Sequence, residues 1–277
     1  NIGVDTSIPE IVNNGIMSSR SLTTFDDEDI RSGFGGNSYG INIASSSQVN
    51  RIENNGTFTV IAAGESTSAF GIIDNSGTVT EFRNTGILST TIDADSSGNT
   101  IALDLSKNST TIDFENTGQI AGDVILGDGI NTIDVIGLSE TELAERTQSF
   151  IDNNIPEELY LPRLVRGIDG TLTIGAGSST LNMGGNAVIR EGVVSSNGNL
   201  TVTLNDQSEL RVPSNKGLNA ENITLNDQSV LVVEIEGDGN FLGGVDASGN
   251  VVFGPESQLS IKIASLVGAE NTFEIIK

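Results

Sequence analysis

Phe114-Glu-Asn-Thr-Gly-Gln-Ile120 is the fourth appearance of one phrase, after Ile11-Val-Asn-Asn-Gly-Ile16, Ile52-Glu-Asn-Asn-Gly-Thr-Phe58 and Phe82-Arg-Asn-Thr-Gly-Ile87. Each reads apolar-x-Asn-x-Gly followed by an apolar residue. The asparagines, Asn13, Asn54, Asn84 and Asn116, are separated by steps of 41, 30 and 32. A period of this size marks a solenoid, in which each repeat is a coil that buries its apolar side chains only against its neighbours. The longer first step is read as an insertion around the acidic run Asp26-Asp-Glu-Asp29.

Working outward, each later copy is preceded by a second strand-like piece: Tyr39-Gly-Ile-Asn-Ile43, Phe70-Gly-Ile-Ile73 and Thr100-Ile-Ala-Leu-Asp104. One repeat therefore holds several strands. The Asn-x-Gly element is read as a corner whose residues tolerate positive φ. Stacked coils, about 4.8 Å apart, then bring equivalent Ile, Val and Leu side chains into line. The fold class expected is all-β, a right-handed parallel β-helix with a short helical excursion.

The second half carries its own repeat. Thr203-Leu-Asn-Asp-Gln-Ser208 recurs identically as Thr224-Leu-Asn-Asp-Gln-Ser229, and each copy leads into a leucine, Leu210 and Leu231. Extending that register takes in Leu181 and Leu259, with steps of 29, 21 and 28. Between the halves the texture changes. In Leu138-Ser-Glu-Thr-Glu-Leu143, Ser139 and Glu142 form a capping box, and Leu138 and Leu143 a hydrophobic staple. A helix over 140–153 follows, and Pro156 and Pro162 then bound a stretch unlike either repeat. The chain divides into an Asn-x-Gly β-helix over 1–137, a helical and irregular excursion over 138–168, and C-terminal β-helix coils over 169–277.

Composition narrows the function classes. Gly numbers 33 and Pro 5, and aromatics are 4% with no Trp, so the interior is built from small aliphatic side chains. The formal net charge is −24, from 37 acidic and 13 basic residues, which disfavours nucleic acid and anionic membrane as partners. There is no Cys and no His, so Ser-His-Asp and Cys-His nucleophile pairs and the common zinc sites cannot be assembled. No apolar run approaches the roughly 20 residues of a membrane-spanning helix. The chain starts at Asn1 with no signal peptide and reads as a segment of something longer.

The run Phe114-Glu-Asn-Thr-Gly-Gln-Ile-Ala-Gly-Asp-Val-Ile-Leu-Gly-Asp-Gly129 resembles passenger domains of autotransporters, the self-exported surface proteins of Gram-negative bacteria. The stretch from Gly170 to Lys277, ending Leu259-Ser-Ile-Lys-Ile-Ala-Ser-Leu-Val-Gly-Ala-Glu-Asn-Thr-Phe-Glu-Ile-Ile276, is similar to the last passenger coils, which act as an autochaperone. The resemblance implies export to the cell surface or beyond, with the protein's own C-terminal outer-membrane barrel as a partner. It also implies a structural stalk or an adhesin, whose ligand lies on a host-cell, matrix or neighbouring-cell surface.

Three function readings stay open from sequence. The first is a non-enzymatic stalk or adhesin, binding through loops such as 23–37 and through the excursion. The second is a carrier for an enzyme, a protease or esterase, N-terminal to Asn1. The third makes the rod itself a polysaccharide-active enzyme. For that third reading the candidate acids are Asp26, Asp27, Glu28 and Asp29, or Asp93 and Asp95, and the plainer reading is solvated acidic loops. Arg163 and Arg166 are the one close pair of basic residues, read preferentially as pairing with Glu157 and Glu158. Gly127-Asp-Gly-Ile-Asn-Thr-Ile133 and Glu236-Gly-Asp-Gly-Asn240 lack the tandem repetition of calcium-binding nonapeptides, and are read as turns. Gly33-Phe-Gly-Gly36 lacks the Lys and the strand-to-helix setting of a phosphate cradle. No catalytic, cofactor-binding or metal-ligating residue is expected, and no cofactor.

Overall fold

In each described coil, inward and outward residues alternate along short strands, as the period-two pattern requires. The computed structural model describes residues 1–21, 36–94, 96–157, 164–236, 243–265 and 274–277. Among these, successive coils stack into a parallel β-helix with three faces. The first face is a nine-stranded sheet from Ser7–Asn13 to Val251–Phe253, and the second a nine-stranded sheet from Ile16–Arg20 to Gln258–Ser265. The third face is a six-stranded sheet from Ser38–Ile43 to Val193–Ser195, followed along the chain by a separate pair, Leu218–Ala220 with Val245–Ala247. Sheet neighbours come from adjacent coils and pair in parallel.

The register shows where the core sits. On the first face one inward column runs Ile11, Ile52, Phe82, Phe114, Ile133, Leu181, Val202, Ile223 and Val251. The second face supplies Met17, Phe58, Leu88, Ile120, Ile168, Ile189, Leu210, Leu231 and Leu259. On the third face Ile41, Ile72, Leu103, Val124, Leu172 and Val193 stack in the same way. The side chains buried in these columns belong to one hydrophobic cluster, so the interior is continuous through the stack. Phe82 and Phe114 stack ring on ring with centroids 5.3 Å apart. No described helix is long and apolar enough to cross a membrane.

At the corner between the first and second faces the repeated asparagines stand in one line: Asn13 pairs with Asn54, Asn54 with Asn84 and Asn84 with Asn116. Each side chain turns inward and is buried. Asn13 Nδ2 donates to Asn54 Oδ1, Asn54 Nδ2 to Asn84 Oδ1 and Asn84 Nδ2 to Asn116 Oδ1, each at 2.7 Å. The amide groups also reach backbone carbonyls beyond the corner: Asn54 donates to Ile87 O at 3.0 Å and Asn84 to Gln119 O at 3.1 Å. The ladder ends at Asn116, which donates to Gly167 O at 3.0 Å because the next coil places Val135 in its line. A buried amide is tolerated only when its hydrogen bonds are made, and stacking identical residues makes them.

Two expectations need correction. The Asn-x-Gly residues do not adopt positive φ; neither these asparagines nor Gly15, Gly56, Gly86 and Gly118 lie in the left-handed region. The glycines are required by close approach, since a Cβ on Gly56, Gly86 or Gly118 would drive into the carbonyl oxygen of Gly15, Gly56 or Gly86 one coil below. Positive φ falls instead in the repeated hexapeptide, at Asp206 (50°), Gln207 (67°), Asp227 (45°) and Gln228 (62°), closed by Ser208 N to Asn205 O and Ser229 N to Asn226 O at 3.0 Å. Two successive left-handed residues make a turn of the type I′ kind. The leucine register also shifts by one face. Leu210, Leu231 and Leu259 do stack, but the residue beneath Leu210 is Ile189, while Leu181 belongs to the first-face column.

Asn84 provides a direct test of the ladder. Asn84→Ala is expected to cost roughly 1–3 kcal/mol, the penalty of leaving buried partners unpaired. Asn84→Asp keeps the shape but sets carboxylate oxygens against Asn116 Oδ1 and Gln119 O. It should cost more, about 3–5 kcal/mol. Denaturant unfolding followed by far-UV circular dichroism measures both, and an Asp variant as stable as the Ala variant contradicts a hydrogen-bonded ladder.

Candidate binding site at the helical excursion

The excursion leaves the stack at the same corner that holds the asparagine ladder in earlier coils and the hexapeptide turn in later ones. Its two feet are tied by one residue of the next coil. Asn186 Oδ1 accepts from Leu138 N at 2.8 Å, and Asn186 Nδ2 donates to Leu164 O at 3.2 Å. The helix spans Glu140–Asp152. Ser139 caps it with the expected box: Glu142 N donates to Ser139 Oγ at 3.3 Å, and Ser139 N to Glu142 Oε2 at 3.0 Å. Leu143, Phe150 and Ile155 pack on buried Leu138 and Leu164, forming a small cluster separate from the main core. The chain rejoins the second face at the strand Arg166–Asp169. Both long sheets continue past the excursion, with Val135 paired to Met183 and Ile120 to Ile168.

Two clefts flank this element, and they differ in charge. On the helix N-terminal side, a cleft of about 390 Å³ is lined by Glu140 and Glu142, by Asp206, Gln207, Asp227 and Gln228 of the two hexapeptide turns, and by Ile136. Its charged groups are all carboxylates. Glu142 titrates below the usual carboxylate range because the Ser139 backbone N–H, and then its hydroxyl, donate to it, with Arg146 adding attraction. The opposite cleft, of about 300 Å³, is lined by Gln119, Val165, Arg166, Gly167, Asp169, Val188 and Arg190. Among the described residues Arg166 makes no ion pair, and its Nε is buried without a hydrogen-bond partner. Burial, and then the nearby Arg146, pull the Arg166 pKa below its ordinary value. Arg190 has only a loose contact to Asp169, at 3.8 Å.

Three other arginines of the rod are held more closely by acids. Arg51 pairs with Glu10, Glu53 and Glu81, Arg83 with Glu115 and Arg211 with Glu209. The pairing of Arg166 with Glu157 expected from sequence is therefore not found; Arg163 and Glu158 lie outside the described residues. Arg166 instead lines the same cleft as Arg190 of the next coil. Sequence reading missed Arg190 and Asp169, and the signal for them is register: Ile168 pairs with Ile189, so the residues that follow them meet.

Of the other candidates, Asp26, Asp27, Glu28, Asp29 and Asp95 lie outside the described residues, as does most of loop 23–37. Asp93 is exposed, and its carbonyl accepts from Ser96 N in a turn. In Gly127–Ile133, Asn131 Nδ2 donates to Gly127 O at 3.2 Å and Gly129 O at 3.1 Å, while Asp128 accepts from Ala176 N at 2.8 Å, as a structural turn would. Only Glu236 of the second glycine-rich phrase, and only Gly36 of the Gly33–Gly36 phrase, are described. Among the described residues no three acidic side chains converge as a metal site would need.

Comparison with protein-family models, curated proteins and solved structures finds no match to this chain.

The cap predicts a local response. Ser139→Ala should loosen the helix by about 1 kcal/mol, raising amide exchange at Glu140–Leu143 while leaving the sheets protected. The Glu142 carboxyl is depressed in the folded helix, so its contribution is present above the unfolded carboxylate range and lost as pH falls through the folded value. Exchange at these amides, corrected for the intrinsic pH effect, should therefore rise on acidification in the parent chain and change little in Glu142→Gln, which has no carboxyl to titrate.

Proposed function

We propose that this chain is the passenger segment of an autotransporter, a surface-displayed, non-catalytic rod that serves as a stalk and presents the helical excursion as its adhesive element. The observation that carries this reading is the unbroken interior: the aligned columns on the first and second faces let a polypeptide extend as a stack without a second core. A chain free of cysteine suits passage through a pore in unfolded form, because no disulfide closes a loop on the way. The acidic surface suits an extended, soluble display. In this reading the partners are an outer-membrane barrel of the same polypeptide and a ligand on an opposing surface, and the location is the outside of a Gram-negative cell.

Expression of the full-length gene in a Gram-negative host tests it. An epitope tag inserted after Asn153, in the excursion, should be reached by antibody on intact cells and removed by added protease. A tag that becomes accessible only after lysis overturns the proposal.

A further inference from the structure

Arg166, with no ion pair among the described residues, and Arg190, held by Asp169 only at 3.8 Å, line one cleft in a chain of net charge −24, and the pair calls for a ligand. We propose that the cleft between Arg166 and Arg190 binds the carboxylate of a single acidic sugar residue, of the uronate type, carried on an otherwise neutral glycan. The cleft exists because of Gly167. The outward row Ile87, Gln119, Gly167, Val188 and Glu209 crosses five coils, and glycine leaves a gap in it. Gly167 has φ of 126°, and a Cβ there would strike Val188 O, so the gap cannot be filled by ordinary substitution.

The chemistry of the walls selects the ligand. Guanidinium forks match a carboxylate in two-point contact. Asp169, largely exposed and loosely held, is an acceptor for sugar hydroxyls, and Val165 and Val188 offer apolar surface to the face of a ring. A volume of about 300 Å³ suits one pyranose rather than a chain of them. An acidic peptide or a polyanionic glycan would need a basic track along the rod, and the arginines on the first face are already neutralised by carboxylates. Repulsion by the remaining acidic surface disfavours any ligand with more than one or two negative charges.

This inference rests on reading the excursion as the adhesive element, but its test is separate from export. The purified chain is titrated at low salt with methyl glucuronide, methyl glucoside, inorganic sulfate and a tetraglutamate peptide, and binding is read from backbone amide shifts around Arg166 and Arg190. The glucuronide should bind saturably and at least about tenfold more tightly than the other three, given charge-assisted pairing. Arg166→Gln and Arg190→Gln should each weaken it by about tenfold or more, with the thermal unfolding profile unchanged; Arg190→Gln keeps the test valid if Arg166→Gln fails to fold. Equal binding of glucoside removes the carboxylate from the proposal, equal binding of sulfate reduces the site to a plain anion site, and equal binding of peptide reassigns it. Each outcome overturns the sugar assignment, as does glucuronide binding untouched by both variants. Failure here with the excursion still displayed on cells leaves the proposed function standing, and binding by a chain that is never displayed does the reverse.

Discussion

Every coil of this protein must meet the coil above and below it backbone to backbone, at about 4.8 Å. That spacing is too small for most side chains to intervene at a corner. It explains why glycine repeats at 15, 56, 86 and 118, where each successive residue lies against the carbonyl beneath it. It also explains why the polar residue beside that glycine is asparagine. An amide has both a donor and an acceptor, so a stack of amides passes hydrogen bonds from one coil to the next without leaving any buried group unpaired. The same spacing aligns the apolar columns, and dispersion contacts between like side chains then accumulate along the axis.

Much of this was legible in the sequence. The four Asn-x-Gly phrases are in perfect register in the structure, because a corner that depends on stacking must recur in the same phase. The capping box at Ser139 and the helix it begins were equally readable, since both are local. Sequence and structure part where local and stacked causes look alike. Asn and Gly together ordinarily signal a turn with positive φ, yet here they serve a ladder and a close contact, and only the neighbouring coil distinguishes the two. Leu181 departs from the expected register for a related reason: a step of 29 resembles one coil, whereas the coils from Met183 to Leu204 and from Leu204 to Leu225 repeat at 21.

The cationic cleft was the least legible feature. Arg166 and Arg190 are far enough apart in sequence to appear unrelated, and their sharing of one cleft depends on where the excursion returns to the stack. The electrostatic contrast became visible only with the ladders in place. On the first face, stacking alternates the signs of charge, Glu10 with Arg51 with Glu81, so that each arginine finds acids above and below. On the second face, Gly167 and Val188 interrupt any such alternation beside Arg166.

Asn186, holding both feet of the excursion with one side-chain amide, has a further consequence for what this architecture can accommodate. The coil that contains the helix places its equivalent positions 48 residues apart, against 21 in each of the next two coils. Closing a loop more than twice as long costs little, about 0.6 kcal/mol for each doubling. With the feet clamped side by side, the stack registers only two adjacent anchor points and is indifferent to the polypeptide strung between them. The corner thus behaves as a socket, where decoration can be exchanged, lengthened or lost over evolutionary time while the rod beneath keeps its inheritance intact.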